Sequence, residues 1–372
     1  MSAASTVYSM DKTVLSTETS QLRLWSISRS DTMSVPTSVP KIDFSPATAE
    51  DYEELMSISS GLFHGMDYVP LKYHTWLKEP QRRMFVARCE GKVVGFESFI
   101  VVDDGTAAVV EGLRVAAEMR RRGVGGVIEK FCWDVIRSDH PEVKRVRFSL
   151  SENPPAIIVK SSKMITCKAV MPVLVSSDQL EAKLRLLESR VSNEDRSKKL
   201  SVLGQEEILR FFEESKMREQ LFPGGLLVQG WFPIAAQKSN LDLLLKQEIV
   251  WIYSHSGNSS DSASSSKVTP GSDGPHASPE GFLSLGSQPF PVPIADKVYY
   301  IDIDLNDPSC AKVHVLEQLK IGIKGLPAGS GILFVLYAKE SLRTELFQLC
   351  EGLNILNSIN EQIIFEKETR FD

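Results

Sequence analysis

The pattern of apolar and polar residues changes character several times between Val109 and Phe131. An apolar, β-branched run comes first, followed by three consecutive arginines, a group of glycines, and then apolar residues at helical spacing. This order predicts a strand, a Gly-rich turn and a helix. Because the first N–H groups of a helix have no intrahelical partner, the start of this helix is a candidate anion-binding site.

The pattern on either side predicts a mixed sheet. Apolar runs predict strands at 83–89, 92–102 and 106–115, and Asp103-Asp104-Gly105 predicts the hairpin turn between the last two. After the helix come a strand at 144–149, a short helix opened by Asn153-Pro154-Pro155, and a strand at 166–175. Antiparallel strands followed by a crossover helix predict an α+β fold.

The second half of the chain repeats this order. Strands and helices alternate from Lys297 to the C-terminus as they do from Thr106 to Val175. We therefore expect a second half built like the first, with an unrelated α/β cap as the alternative. Its turn, 305–309, contains neither glycine nor arginine and is not expected to bind an anion. The predicted division is a disordered tail at 1–40, a first domain at 41–176, and a second at 177–372 with a disordered insertion at about 254–280.

Composition narrows the class of protein. The chain has 372 residues, 42% of them hydrophobic, and a net charge of −6, which gives no overall attraction to nucleic acid. The arginine cluster is therefore local and suits a small polyanion. Five scattered cysteines without a Cys-x-x-Cys pair indicate a reducing compartment and no zinc site. No apolar run is long enough for a membrane span or a signal core, so the expectation is a cytoplasmic protein without a metal.

The Gly-rich turn matches neither of two common phosphate-binding motifs. Gly-Lys-Ser/Thr is missing after the glycines, and so is Gly-x-Gly-x-x-Gly. Arg120-x-x-Gly123-x-Gly125 instead resembles the acetyl-CoA loop of the GNAT superfamily of acetyltransferases, and the resemblance covers residue 41 to about 175. It implies a GNAT acyltransferase fold with a degenerate, GNAT-like second half. It also implies acetyl-CoA as co-substrate, held by Leu113, Val115, Arg120, Arg121, Arg122, Gly123, Val124, Gly125, Gly126 and Asn153.

The chain departs from the family pattern after Asn153. Asn153 and Ala156 match positions that contact the pantetheine arm in the family. The Tyr that usually protonates the leaving thiolate is replaced by Lys160, and the following Gly-Phe by Met164-Ile165. The general acid is therefore open, with Ser161, Lys160 or water as candidates.

Two carboxylates are candidates for the general base. The resemblance implies a base at the strand position of Glu111, and the two-residue period of a strand predicts that Glu111 shares a face with Leu113 and Val115. Counting back from the hairpin turn places Glu97 opposite Glu111 or one residue away. Two facing carboxylates in an apolar sheet raise the pKa of one of them toward the range of a useful base.

The acceptor is indicated only by resemblance. Glu111-Gly112-Leu113-Arg114-Val115, the triple arginine, Gln229-Gly230-Trp231 and Ser239-Asn240-Leu241 resemble a vertebrate group of histidine N-acetyltransferases. This implies transfer of an acetyl group to the α-amine of a free amino acid, L-histidine, with Tyr68 and His74 as candidate substrate-binding residues. The alternatives are a peptide N-terminal acetyltransferase and a non-catalytic acetyl-CoA-binding protein. The sequence leaves the oligomeric state open.

Overall fold

A computed structural model describes residues 41–59, 62–255, 281–292, 294–324, 326–327 and 329–369. The tail predicted at 1–40 lies outside these ranges, and so does most of the predicted insertion. Ser254 and His255, which were assigned to that insertion, instead end a strand that pairs with Phe282 and Gly281. The remaining residues, 256–280, lie outside the described ranges.

The first half of the chain supplies six strands and four α-helices among its described residues. In chain order they are β1 (Asp43–Pro46), α1 (Tyr52–Ser59), α2 (Val69–Trp76), β2 (Arg82–Cys89), β3 (Lys92–Val102), β4 (Ala107–Val115), α3 (Val124–Asp139), β5 (Arg145–Ser151), α4 (Ala156–Ser161) and β6 (Lys163–Val175).

The second half supplies the rest of the described elements. They are α5 (Leu180–Arg190), α6 (Asn193–Arg196), β7 (Leu200–Val202), α7 (Gln205–Glu213), α8 (Ser215–Leu221), β8 (Leu226–Gln229), β9 (Phe232–Ala235), α9 (Leu241–Lys246), β10 (Val250–His255), β11 (Gly281–Gly286), β12 (Phe290–Val292), β13 (Ala295–Ile303), α10 (Pro308–Ile323), β14 (Ile332–Lys339), α11 (Arg343–Cys350), β15 (Asn354–Ile355) and β16 (Glu361–Glu368). The helices α7 and α8 are separate, because the backbone of Glu214 between them is extended (φ −82°, ψ 104°).

The two halves repeat one another within a single large sheet. Its main path runs β1-β2-β3-β4-β5-β16-β6-β14-β13-β11-β10-β7. In the first half β1 to β4 are antiparallel and β5 is parallel to β4; in the second half β14 is likewise parallel to β13. The order of strands and helices expected for the second half therefore recurs in the structure.

The halves exchange strands at the centre of the sheet. The C-terminal strand β16 lies between β5 and β6, and it is antiparallel to both. The strand β6 of the first half in turn pairs with β14 of the second. Each half thus completes its sheet with a strand from the other. The boundary expected at residue 176 stays a prediction, since described strands on both sides of it belong to one sheet.

Helices cover the two faces of the first half of the sheet. On one face α1 and α2 bury Leu55, Tyr73 and Trp76 against Phe96 of β3. On the other face α3 buries Cys132 and Ile136 against strand residues that include Phe99 and Ala108. The apolar positions of α3 recur at helical spacing, as its sequence predicts. Polar groups along β3 and β4 therefore face either α1 and α2 or α3.

Candidate active site

The parallel strands β4 and β5 separate part-way along their length. They pair only from Ala107 and Arg145 to Val109 and Arg147. Beyond this point β4 continues to Val115 without β5, while β5 continues to Ser151, paired on its other edge with β16 along its whole length. A cavity of about 330 Å³ lies at this gap and reaches both faces of the sheet. The gap leaves backbone groups on one edge of β4 available to a ligand.

A bulge at Gly112 changes which way the β4 side chains point. Arg114 pairs with Phe96, but Glu111 pairs with Ser98, so β4 carries one extra residue at this point. Gly112 has φ +80°, and a Cβ there would lie 3.1 Å from Cε1 of Phe96. The expectation that Glu111 shares a face with Leu113 and Val115 is therefore wrong, because the bulge interrupts the two-residue period.

The two candidate bases lie one residue out of register, on opposite faces of the sheet. Ser98, the neighbour of Glu97, pairs with Glu111 and shares its face. Successive side chains alternate, so Glu97 points to the other face, where α3 packs. The predicted register is confirmed, since Glu97 lies one residue from the position opposite Glu111. The two carboxylates do not face each other directly.

Glu97 is a buried carboxyl group that lines the cavity. Only 2% of the residue is exposed, and among the described residues its Oε2 has no hydrogen-bond partner. Burial raises the pKa of Glu97 to about 8, and the nearby Glu129 carboxylate adds to this rise. A hydrogen bond with Cys132 acts in the opposite direction and lowers the pKa. A group with these properties can take up a proton near neutral pH.

Glu111 is engaged in an ion pair. Its Oε2 accepts a hydrogen bond from Nη1 of Arg82 at 3.0 Å, and both side chains are buried. The same guanidinium donates from Nε to Glu79 at 2.6 Å and lies 4.1 Å from the ring centroid of Trp76. Glu111 also lines the cavity, but this carboxylate oxygen already accepts from an arginine.

The N-terminus of α3 lies beside the outer part of β4. A Cβ on Gly125 would lie 3.7 Å from Val115 Cγ2 and 4.0 Å from Leu113 Cδ2, and one on Gly126 would meet nothing within 4 Å. Gly123 adopts φ +80° as N-cap residue, and no side chain caps the helix. Glycines therefore leave the first N–H groups open to an anion, as the sequence predicts. Val124 is the first residue of α3 and is buried.

The three arginines line the approach to this helix. Arg120 donates from Nε to the carbonyl of Val115 at 3.0 Å, and Nη1 of Arg122 lies 3.4 Å from Met119 Sδ. Arg121 is exposed and has a positive φ of 60°. The cluster adds positive charge at the helix end that the dipole already makes positive.

The segment after β5 contributes one wall of the cavity. Pro155 and Ile158 line it, whereas Asn153, Lys160 and Ser161 are exposed and do not. Asn153 has φ 59°, a left-handed conformation that asparagine tolerates. Neither Lys160 nor Ser161, the two residues considered as general acids, is part of the cavity as described.

Aromatic side chains form the opposite wall. Tyr68 lines the cavity as expected, but His74 does not: it is exposed and packs against Tyr52, with ring centroids 4.6 Å apart. His74 lies in the last turn of the short helix α2, whose buried side carries Tyr73 and Trp76 instead. His74 is therefore removed from the candidate acceptor residues.

Most of this aromatic wall is not predicted by the sequence. Phe63 comes from the first half, while the second half supplies Trp231, Tyr300 and Tyr337. Trp231 stands in a motif that the sequence analysis noted without assigning it to the site. The two tyrosines belong to β13 and β14, whose apolar pattern predicts ordinary core strands, and the pairing of β14 with β6 joins those strands to the first half.

The corresponding position in the second half is closed. β13 and β14 pair without interruption from Lys297 and Ile332 to Ile303 and Ala338. Oδ1 of Asp307 accepts a hydrogen bond from Cys310 N at 3.0 Å and so caps α10. A capping carboxylate occupies the end of the helix where an anion would bind, and no gap opens in the sheet.

Two family models match the chain. Residues 49–157 match "Acetyltransferase (GNAT) family" and residues 196–277 match "Histidine N-acetyltransferase, C-terminal". A histidine N-acetyltransferase of Oreochromis niloticus is 31% identical over 75% of this chain and 79% of its own length. One of Scomber australasicus is 30% identical over 71% of this chain and 74% of its own. The chain belongs to the histidine N-acetyltransferase family.

The protein is therefore an N-acetyltransferase with a GNAT fold. A solved structure titled "Tandem GNAT protein from the clavulanic acid biosynthesis pathway (without AcCoA)" aligns with 89% of this chain and 100% of its own at a TM-score of 0.50 and 12% identity. At that identity the likeness concerns the fold alone, and it supports the GNAT-like second half. Across the described ranges, no helix is long and apolar enough to cross a membrane.

Proposed function

We propose that this enzyme transfers an acetyl group from acetyl-CoA to the α-amine of free L-histidine, giving N-acetylhistidine. The observation that carries the proposal is the gap between β4 and β5. It has an uncapped, Gly-rich helix start near its outer end, the buried carboxyl of Glu97 along one wall and an aromatic wall opposite. These are the parts that a thioester, an amine and an aromatic side chain require.

Acetyl-CoA fits the α3 end of the gap. The pyrophosphate takes the free N–H groups from Val124 to Gly126, with the three arginines beside it. The pantetheine arm runs along the unpaired edge of β4 near Leu113 and Val115. A backbone N–H of this edge, which we assign to Val115, then polarises the thioester carbonyl.

Glu97 serves as general base. The α-amine of the acceptor loses a proton to the carboxylate, its nitrogen attacks the carbonyl carbon, and the carbon–sulfur bond breaks to release CoA as thiolate. The structure favours Glu97 over Glu111 because Oε2 of Glu97 is unpartnered among described residues, while Oε2 of Glu111 accepts from Arg82. Protonation of the thiolate is assigned to water, since neither Lys160 nor Ser161 lines the cavity.

Histidine as acceptor rests on the relatives and on the shape of the cavity. The two fish relatives are named for histidine N-acetylation. The second half closes over the acceptor side with Tyr300, Tyr337 and Trp231, and such a wall suits a small ring-bearing substrate better than an extended peptide. The five cysteines are free thiols, in keeping with the cytoplasmic location that we propose.

The test is an acetyl-transfer assay with a panel of acceptors. Purified protein is given acetyl-CoA and each free amino acid in turn, thiol release is followed, and products are identified by mass spectrometry. We expect histidine to be the preferred acceptor and Nα-acetylhistidine, whose amine is blocked, to be inert. Preference for peptides with N-terminal histidine would indicate a peptide acetyltransferase. Acetyl-CoA binding without release of thiol for any acceptor would indicate a non-catalytic binding protein.

A further inference from the structure

Trp231 is the point at which the part of the chain that matches the histidine N-acetyltransferase model reaches the cavity. The region that matches the histidine N-acetyltransferase model, 196–277, is described as far as residue 255. Within that described part, Trp231 is the one residue that lines the cavity. The rest of it, from β7 to β10, packs elsewhere, chiefly in the large core of the second half.

The backbone of Trp231 is held at the tip of a two-residue hairpin. Gln229 pairs with Phe232 across the turn, which leaves Gly230 and Trp231 between β8 and β9. Gly230 adopts φ +56°, and a Cβ there would lie 2.9 Å from Cδ2 of Tyr300. Only glycine satisfies both the conformation and the contact, so the approach of Tyr300 fixes where the turn lies.

Polar side chains from three strands bind this turn, and those of Asp302 and Gln362 are buried. Gly230 N donates to Oδ2 of Asp302 at 2.7 Å, and its carbonyl accepts from Nε2 of Gln362 at 2.7 Å. Ser149 Oγ donates to the carbonyl of Trp231 at 3.0 Å. Asp302 is itself fixed by Lys168, whose Nζ lies 3.2 Å from Oδ1. Both halves of the chain therefore hold the hairpin tip in place.

The indole ring is oriented as well. It packs against the buried ring of Tyr337. The two rings meet edge to face, with centroids 6.2 Å apart and planes at 87°. Tyr300 and Tyr337 are buried, whereas Trp231 is only partly so, and it borders the cavity.

We infer that Trp231 selects acceptors with a planar ring by packing its indole against the imidazole of the substrate. This inference rests on the proposed function and adds the residue that determines its specificity. A pre-oriented aromatic face gives ring-bearing acceptors a contact that aliphatic amino acids lack. Asp302 and Gln362 are positioning residues, because they act on the substrate only through the hairpin tip.

The test compares selectivity in Trp231→Phe and Trp231→Leu with that of the wild type. The measured quantity is the ratio of kcat/KM for histidine to kcat/KM for leucine, with phenylalanine as a second ring-bearing acceptor. We expect Trp231→Leu to lower this ratio about tenfold, and Trp231→Phe to retain most of it. The KM for acetyl-CoA should stay within twofold in both, because Trp231 lies in the turn between β8 and β9 and is not part of the Gly-rich start of α3.

Three results would overturn the inference. One is an unchanged ratio in Trp231→Leu. Another is equal loss for histidine and leucine, which indicates that the indole only supports the fold. The third is a wild type that acetylates aliphatic acceptors as well as ring-bearing ones. If the wild type instead prefers phenylalanine to histidine and Trp231→Leu erases that preference, the histidine assignment fails while the role of Trp231 stands.

A binding measurement supports the kinetic one. Histidine added to the acetyl-CoA-free enzyme should quench tryptophan fluorescence in the wild type and much less in Trp231→Phe. Trp76→Phe is the matched control, since that indole lies under Arg82 and does not line the cavity. Equal quenching in wild type and Trp231→Phe would assign the signal to Trp133, which also lines the cavity, and would contradict a contact between the Trp231 indole and the substrate.

Discussion

Nη1 of Arg82 lies 3.0 Å from Oε2 of Glu111, and at most a twentieth of either side chain is exposed. The strand pattern and the family resemblance indicated Glu111 as the base, but in the structure its carboxylate is engaged in this ion pair. Removing one partner of a buried ion pair leaves an uncompensated charge, so the pair is costly to disrupt. Glu97, with an oxygen that has no partner among described residues, is free for proton transfer. Glu97 rather than Glu111 is therefore the candidate base.

Glu97→Gln should lower kcat for histidine by about 10²–10⁴-fold, because Gln keeps the shape of the side chain but cannot accept a proton. The pKa of Glu97 is raised to about 8 by burial. At a fixed concentration of unprotonated amine, the wild-type rate should therefore still rise with pH through about 8, and the rate of the variant should not. Steady-state kinetics between pH 6 and 9.5 measure both effects.

Glu111→Gln is the matched control for that experiment. It should keep the pH-dependent rise and instead lower the free energy of unfolding by about 1–3 kcal/mol, because Arg82 then has Glu79 as its one charged partner among the described residues. If Glu111→Gln removes the pH-dependent rise while Glu97→Gln retains it, the two roles are reversed.

Glu97 should also make stability depend on pH. Its pKa is about 8 in the folded protein and near the ordinary value of about 4.3 in the unfolded chain, so between these values the folded state binds the extra proton. The contribution is fully present below pH 4.3 and is lost as the pH rises through about 8. The loss approaches a slope of about 1.4 kcal/mol per pH unit within this window.

Urea unfolding of wild type and Glu97→Gln at several pH values checks this prediction. The quantity to compare is the difference in free energy of unfolding between the two proteins, because other titrating groups cancel in it. The variant should gain stability relative to the wild type as the pH rises from 5 to 8. A difference that stays constant over this range would show that Glu97 is not protonated in the folded state.

The sequence predicted the strand, Gly-rich turn and helix at 109–131 well and the aromatic wall of the cavity poorly. The turn at Gly123 to Gly126 is a local feature, and its residues carry their own conformational signal. Tyr300 and Tyr337 lie on β13 and β14, which join the first half through the pairing of β14 with β6, and Trp231 lies in the turn between β8 and β9. Such long-range pairing leaves no mark in the local pattern of apolar residues.

The faces of β4 show a second limit of the sequence pattern. Strict alternation placed Glu111 with Leu113 and Val115, and the extra residue at Gly112 reversed that relation. Gly112 could have indicated the bulge, since an isolated glycine inside a strand often marks one. The sequence did not show that Glu97 and Glu111 lie on opposite faces, because that depends on how β3 pairs with β4.

Gly125→Glu should abolish acetyl-CoA binding without unfolding the protein. A Cβ at this position meets only ordinary contacts at 3.7 Å or more, so the backbone tolerates a side chain, but a carboxylate there repels a pyrophosphate. Calorimetric titration with acetyl-CoA measures the affinity, and circular dichroism checks the fold. A folded variant with unchanged affinity would remove the loop from the binding site.

Asp307→Ala is the control for that substitution, because it alters the corresponding helix start in the second half. It should cost about 1 kcal/mol of stability through loss of the α10 cap and leave acetyl-CoA affinity unchanged. The wild type should bind one acetyl-CoA per chain. A second binding event, or weaker binding in Asp307→Ala, would show that the second half also takes part.

Replacement of residues 256–280 by Asn-Gly should leave activity near that of the wild type. His255 and Gly281 pair directly across β10 and β11, so a two-residue hairpin turn can join them without moving either strand. Shortening the connection lowers the entropy cost of closing the hairpin, and we expect the free energy of unfolding to rise by about 1–2 kcal/mol. The measurements are kcat/KM for histidine and urea unfolding.

A variant in which 256–280 is scrambled keeps length and composition and serves as the control. If the replacement folds but loses most of its activity while the scrambled variant stays active, the length of this segment matters to the acceptor site. If both variants lose activity, the sequence of the segment contributes residues to that site.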